Sequence, residues 1–195
     1  MDTAMRERLE AHQKWIKEEL DICVNFWLKN GMDHVNGGGY TCVDFWLEHG
    51  MDRENGGVYT CLDRKGEVYS TDKSVWMQGR CAWMFAYLCH QYGVKEEWLQ
   101  ASKSCLDFME AHCINREAGN RMYFTVTAEG KPLRQRRYCF SEGFYAIANA
   151  EYYGLTGEAV YLERARRAYE LIYNLNNGLP AVQALGEGET LSDTI

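Results

Sequence analysis

The sequence predicts an all-α protein in two layers, with inner helices wrapped by outer ones and short β-hairpins between them. Three observations carry this. Landmarks recur at a spacing of 64 positions, two segments are apolar nearly all round, and an amphipathic segment follows each of the two. The recurring pairs are Tyr59 with Tyr123, Gly66 with Gly130, Gly79 with Gly143, Ala82 with Ala146, Ala86 with Ala150 and Gly93 with Gly157. A helix that is apolar on every side belongs to an inner layer, whereas one with a single apolar stripe can turn its other side to water.

The opening helix, residues 3–30, lines up Met5, Leu9, His12, Ile16, Leu20, Cys23 and Trp27 on one face. A tandem duplication follows. FWLKNGMDHVNGGGYTCVD, residues 26–44, is repeated at once as FWLEHGMDRENGGVYTCLD, residues 45–63, with thirteen of nineteen positions identical. Solenoid arrays need at least about three units, so one extra copy in 26–63 does not build a binding array. The second copy runs straight into the next element, which places 55–63 in the body of the fold. The first helix then ends near Asn30 and much of 31–44 loops out, at a closure cost of about 1 kcal/mol. The alternative is a first helix lengthened by the second FWL.

Residues 58–62 alternate in polarity, 63–66 form a turn with Gly66 in the left-handed position, and 67–69 return, which reads as a hairpin. Residues 122–127, 128–131 and 132–133 repeat that reading around Gly130. The first inner helix spans 74–92, with Asp72 as N-cap and Gly93 as stop; the second spans 140–153, with Gly154 as stop. The outer helices show stripes at three-four spacing: Trp98, Ala101, Ser102, Cys105, Phe108 and Met109, then Tyr161, Ala165, Ala168, Tyr169 and Ile172. Alternating inner and outer helices make an α/α toroid, of the (α/α)6-barrel type. A ring of about six pairs at this period needs roughly 380 residues. The 195 residues present therefore amount to one partial barrel domain, about half of the ring, with 179–195 an irregular tail.

Composition narrows the partners. A hydrophobic content of 46% is enough for a buried core. The net charge of −7 argues against a nucleic-acid partner, which demands a dense positive surface. The small basic cluster of Arg134, Arg136 and Arg137 reads as a solvated loop. No apolar run approaches the ~20 residues that span a bilayer, so no membrane partner is expected. The N-terminus is charged and helical in pattern, unlike a secretory leader. The eight cysteines then read as reduced thiols in the cytoplasm. No Cys/His spacing suits zinc and no phosphate loop of the GxxxxGK[ST] kind occurs, so neither a metal nor another cofactor is expected.

FWLEHGMDRENGGVYTCLDRKGEVYSTDKSVWMQGRCAWMFAYL, residues 45–88, and TAEGKPLRQRRYCFSEGFYAIANAEYYGLTGE, residues 127–158, together resemble the first half of the N-acylglucosamine 2-epimerase family, also called renin-binding proteins. The likeness runs to about Gly178, and KSVWMQGR and FSEGFY point to that branch rather than to the cellobiose 2-epimerases. The resemblance implies a small-molecule sugar substrate, with N-acetylglucosamine and its manno epimer interconverted at C2. A base removes the C2 proton from the opened sugar and a second group reprotonates the other face. In the family both groups are histidines of the second half, which this sequence does not reach. His12, His34, His49, His90 and His112 match no such motif and read as structural or exposed.

What the resemblance places here is pocket wall. Arg80 matches an arginine turned toward the sugar oxygens, a role suited to a permanently charged fork of donors; an ordinary ion-paired arginine is the other reading. Trp76, one turn earlier, either stacks on the sugar or belongs to the core. Glu142 meets Arg80, binds a hydroxyl or reaches the barrel mouth. Phe140, Ser141 and Tyr138 complete the candidate sugar contacts, while Tyr59 and Cys61 either line the mouth or, as the preferred reading, pack in the core. Two other functions remain: a toroidal glycoside hydrolase using Glu142 and Asp72 as its carboxylate pair, or a non-catalytic half-barrel that acts through interactions. An incomplete toroid exposes apolar inner faces, so the chain is expected to be inactive alone and either poorly soluble or paired, for instance as a homodimer.

Overall fold

The computed structural model describes residues 40–136 and 138–178, together with Lys14 and Glu18. Lys14 and Glu18 are helical and form an i,i+4 ion pair of 3.8 Å. The rest of the expected opening helix, most of the first duplicated copy and the tail 179–195 lie outside the described residues. The end of the first copy corrects the looped-out expectation over residues 40–44, while 31–39 lie outside the described residues. Residues 40–44 are helical, within α1 (Tyr40–Phe45), and a single π-helical turn follows at Trp46–Gly50. Val43 is buried, which a solvated loop would not achieve. The second FWL therefore sits in helix.

The chain divides into two compact units, Met1–Trp46 and Leu47–Ile195, and everything that follows concerns the second. It opens with a hairpin, β1 (Cys61–Leu62) and β2 (Val68–Ser70), in the antiparallel register Cys61↔Ser70 and Leu62↔Val68. The Asp63 carboxylate accepts the Lys65 and Glu67 amides at 2.8 and 2.9 Å and so closes the turn. Gly66 takes φ +90° there, and a Cβ in its place would overlap the His49 ring. Gly130, 64 residues on, takes φ +86° against His112 in the same way.

Next comes β3 (Lys73–Ser74), then α2 (Val75–Tyr92) and α3 (Glu96–His112). Asp72 is not the N-cap of α2. Lys73 and Ser74 pair in register with Val126 and Thr125, so the chain enters the helix as a strand and Ser74 occupies the cap position without a side-chain bond. After β4 (Ile114–Asn115), β5 (Arg121–Val126) and β6 (Pro132–Gln135) come α4 (Phe140–Thr156) and α5 (Ala159–Asn176). β5 is the hub of a four-stranded sheet, pairing with β3, β4 and β6.

α2 packs on both α3 and α4, and α4 packs on α5, which is the inner and outer alternation expected of a toroid. At Gly79 the two inner helices come so close that a Cβ would stand 2.7 Å from Cβ of Phe144. The outer stripe of α3 is buried throughout. On α5, Tyr161, Ala165 and Ala168 are buried as expected, but Tyr169 is exposed and Leu175 is buried further along. α4 also runs past the expected stop at Gly154. It ends at Gly157, whose left-handed φ of +70° lets its amide bond the Tyr153 carbonyl at 2.8 Å.

Candidate sugar-binding site

Helical spacing gives α2 a stripe of Trp76, Arg80, Trp83 and Tyr87 that does not enter the buried face formed by Val75, Gln78, Cys81, Ala82, Phe85 and Cys89. α4 presents Phe140, Phe144 and Ile147 in the same manner. Trp76 is the centre of an aromatic cluster, with ring centroids 5.3 Å from Phe124, 5.4 Å from Phe140, 5.7 Å from Tyr138 and 5.8 Å from Phe144. Three of these contacts are edge-on, the arrangement that aromatic quadrupoles favour. Its indole N–H donates to Ser141 Oγ at 3.1 Å, which fixes the ring plane and joins the first turns of α2 and α4. Near the other end of α2, His90 Nδ1 lies 2.9 Å from Glu151 Oε1, and Trp83 stacks on Tyr87 at 4.9 Å.

The structure thus brings together five of the six expected site residues, Trp76, Tyr138, Phe140 and Ser141 with Arg80 beside them. Phe140 is 59% exposed. Arg80 is exposed too, its Cζ 5.9 Å from the Phe144 ring, and it makes no ion pair among the described residues. Ser141 is buried and spends its oxygen on Trp76, so it acts on the cluster through that ring.

The sixth, Glu142, goes elsewhere. It is 1% exposed and does not meet Arg80. Its Oε1 accepts Arg121 Nε at 2.7 Å and the Met122 amide at 2.8 Å. A buried carboxylate needs such a partner, and Arg121 supplies it. Arg121 Nη2 also reaches the carbonyls of Arg136 and Tyr138 at 3.3 Å each, which anchors the loop carrying Tyr138. Glu142 Oε2 has no hydrogen-bond partner among the described residues, and the residue borders a cavity of about 190 Å³ beside α5 that neither Trp76 nor Arg80 lines. Asp72 is exposed on the entry to α2 and takes no part in that cavity, so Glu142 and Asp72 do not form an acid–base pair there.

A second buried ion pair repeats the design. Lys73 Nζ donates to Asp52 Oδ2 at 2.7 Å, to the Gly56 carbonyl at 2.7 Å and to the Ala128 carbonyl at 2.9 Å. Burial by itself would raise the Asp52 carboxyl, but the Asn55 amide, the Lys73 ammonium and further donors from Asn55 and Glu54 outweigh it and hold the group at about 2. Glu110 is likewise held below the usual carboxylate range: burial opposes this, while the Tyr145 hydroxyl, Arg167, Arg116 and Arg164 win. Burial and the Glu110 contact push Tyr145 up. Burial also drives the Cys81 and Cys113 thiols up to about 12, so neither is a nucleophile at neutral pH. His49 and His112 pack under their glycine turns, and His12 and His34 lie outside the described residues.

An arc of inner and outer helices with an aromatic, arginine-edged inner wall defines one segment of an α/α toroid. The chain belongs to the N-acylglucosamine 2-epimerase (GlcNAc 2-epimerase) family, whose profile matches residues 57–179. It is 38% identical to the N-acylglucosamine 2-epimerase of Rattus norvegicus over 165 residues, which is 82% of this chain and 34% of the rat protein. Cellobiose 2-epimerase from Bacillus thermoamylovorans superposes with a TM-score of 0.62 at 26% identity, over 68% of this chain and 34% of that one. A family 76 glycoside hydrolase (mannosidase) from Bacteroides thetaiotaomicron shares the fold alone, with a TM-score of 0.56 at 22% identity over 67% and 35% of the two chains. The chain spans about a third of the length of the curated relatives it matches.

Proposed function

We propose that this chain forms part of the sugar-binding wall of a 2-epimerase for N-acylated hexosamines such as N-acetylglucosamine, and that it carries no C2 proton-transfer activity by itself. The observation behind this reading is the Trp76 cluster, with the Phe140 face open and Arg80 at its edge, in a chain of this family. An exposed aromatic face covers the apolar C–H face of a hexose, and a neighbouring guanidinium binds its oxygens. During epimerisation the base takes the C2 proton, negative charge moves onto the carbonyl oxygen, and Arg80 stabilises that enediolate oxygen. The wall orients the sugar and holds charge; the proton carriers are groups beyond this chain. His90 does not serve as one of them. Ten residues of helix rise put it about 15 Å from Arg80, and Glu151 engages it.

The carboxylates do not support a hydrolase, since Glu142 is neutralised in the interior by Arg121. The reading also takes the chain to be cytoplasmic, where the six described cysteines stay as free thiols, and to pair with a second copy over exposed apolar inner-helix surface away from Phe140, such as Ile147. Among the described residues no helix is long and apolar enough to cross a membrane.

Saturation-transfer NMR of N-acetylglucosamine on the purified chain tests the wall. Transfer should appear and should fall at least threefold in Arg80→Ala; equal transfer in both proteins would sink the assignment. Light scattering during gel filtration reads the second-copy contact.

A further inference from the structure

The buried Arg121–Glu142 pair has a neutral counterpart one period earlier. Gly57 stands 64 positions before Arg121, and Gln78 stands 64 before Glu142. Gln78 bonds both the amide and the carbonyl of Val58 with no charge involved. Position 57 has no room for a side chain, since a Cβ there would overlap Gln78 Oε1. The first repeat thus joins extended backbone to its inner helix without an ion pair. Two opposite charges that are 2% and 1% exposed lose their hydration, and such a pair is often no more stable than apolar groups of the same size. The guanidinium therefore answers to something other than the clamp.

What Arg121 adds is its Nη2, which donates to the Arg136 and Tyr138 carbonyls. In the first repeat the equivalent segment, 72–74, is held by the pairing of Lys73 and Ser74 with β5. Among the described residues, Arg136 and Tyr138 belong to no strand. Yet this segment is folded onto the wall. Arg136, expected in a solvated loop, packs its guanidinium 5.0 Å from the Phe124 ring and 5.7 Å from Tyr138. The Tyr138 ring in turn lies 5.7 Å from Trp76 and 5.4 Å from Phe140. Glu142 directly follows Ser141, the acceptor of the Trp76 indole. The ion pair therefore joins the two points that hold the cluster, the Tyr138 backbone and the first turn of α4.

We propose that Arg121, locked by Glu142, is a positioning residue for the sugar wall: it fixes the backbone at Arg136 and Tyr138 and so sets the Tyr138 ring against Trp76 and Phe140 before sugar arrives. The proposal rests on the sugar-wall reading above and names the device that preorganises that wall. Arginine suits the task because one nitrogen meets the carboxylate while another, in the same rigid plane, reaches two carbonyls. A wall fixed in advance loses less side-chain freedom on binding, and the difference appears as affinity. Arg121 itself touches no sugar; it acts through Tyr138.

The test is a saturation-transfer titration with N-acetylglucosamine of the full 195-residue chain and three variants: Arg121→Met combined with Glu142→Gln, Arg121→Lys, and Gln78→Met. The double variant buries no orphaned charge and leaves the Tyr138 segment untethered, so its affinity should fall roughly fivefold. Arg121→Lys keeps a cation beside Glu142 but gives up the planar fork. It should lose affinity by a similar factor, and it reports if the double variant fails to fold. Gln78→Met weakens the clamp of the other repeat and should leave affinity unchanged. The Trp76 indole N–H resonance, assigned by its loss in Trp76→Phe, should shift in both Arg121 variants before any sugar is added. Equal affinity in the parent and the Arg121 variants overturns the positioning role and leaves the wall intact. An equal loss in Gln78→Met also overturns it, because affinity would then follow fold stability alone. So does a Trp76 resonance that stays in place. Failure of the parent to bind N-acetylglucosamine overturns the wall reading and this proposal with it.

Discussion

Gln78 and Glu142 stand 64 residues apart and make the same bond: each side-chain Oε1 accepts the amide of the residue twenty positions earlier, Val58 and Met122, at 2.8 Å. Gln78 Nε2 also donates to the Val58 carbonyl. One side chain per repeat thus ties extended backbone to an inner helix in a site closed to water. Replacing Gln78 with Met keeps its volume and orphans both Val58 groups. We predict a loss of about 2–4 kcal/mol in urea unfolding, since each buried unsatisfied group costs roughly 1–3 kcal/mol. A change below 0.5 kcal/mol would show that the clamp contributes nothing.

In the second repeat the clamp is charged. Glu142→Gln leaves Arg121 buried without its carboxylate and should destabilise the chain by about 3–5 kcal/mol. Adding Arg121→Met should return a large part of that loss, because the double variant buries no orphaned charge. Thermal and urea unfolding of the two single variants and the double variant measures the coupling. Strict additivity would mean that the two side chains do not act as a pair.

Asp52 makes the fold sensitive to acid. Its folded pKa of about 2 lies below the unfolded value near 3.9, so the stabilisation is complete above about pH 4 and disappears as pH falls through 2. The difference corresponds to about 2 kcal/mol. Unfolding free energies measured from pH 5 to pH 2 should fall by that amount more in the parent than in Asp52→Asn, which has no proton to bind. Parallel pH curves would contradict this.

Gly79→Ala probes the close approach of the inner helices. The new Cβ meets Phe144 Cβ at 2.7 Å and its carbonyl carbon at 2.9 Å, and backbone cannot rotate away. Helix propensity alone favours Ala over Gly by about 1 kcal/mol, but overpacking costs about 1–3 kcal/mol, and we expect the second to win. Net stabilisation in a melting experiment would show that α2 and α4 can separate freely.

Those inner helices, their outer partners and the two hairpins were legible because each rests on local spacing: 3.6-residue stripes, a glycine at each turn, and a 64-residue period. The same spacing put Trp76 and Arg80 on one face. Partners joined across the fold were not legible. Arg121 and Glu142 meet only because β5 runs beneath the start of α4, and nothing near Arg121 in the sequence marks it as buried. Asp72 failed as a cap because Lys73 and Ser74 are drawn into strand by β5, some fifty positions later. Arg136 reads as solvated charge because the Phe124 ring that it covers arrives from β5, twelve positions earlier.

Hydrogen exchange at sugar C2 is the most direct test of the central claim that this chain holds the sugar wall without the proton-transfer groups. N-acetylglucosamine incubated with the purified chain in heavy water should keep its C2 proton by NMR over the hours in which saturation transfer shows it bound. Deuterium at C2, or the appearance of N-acetylmannosamine, would contradict the account and place a working base within these 195 residues.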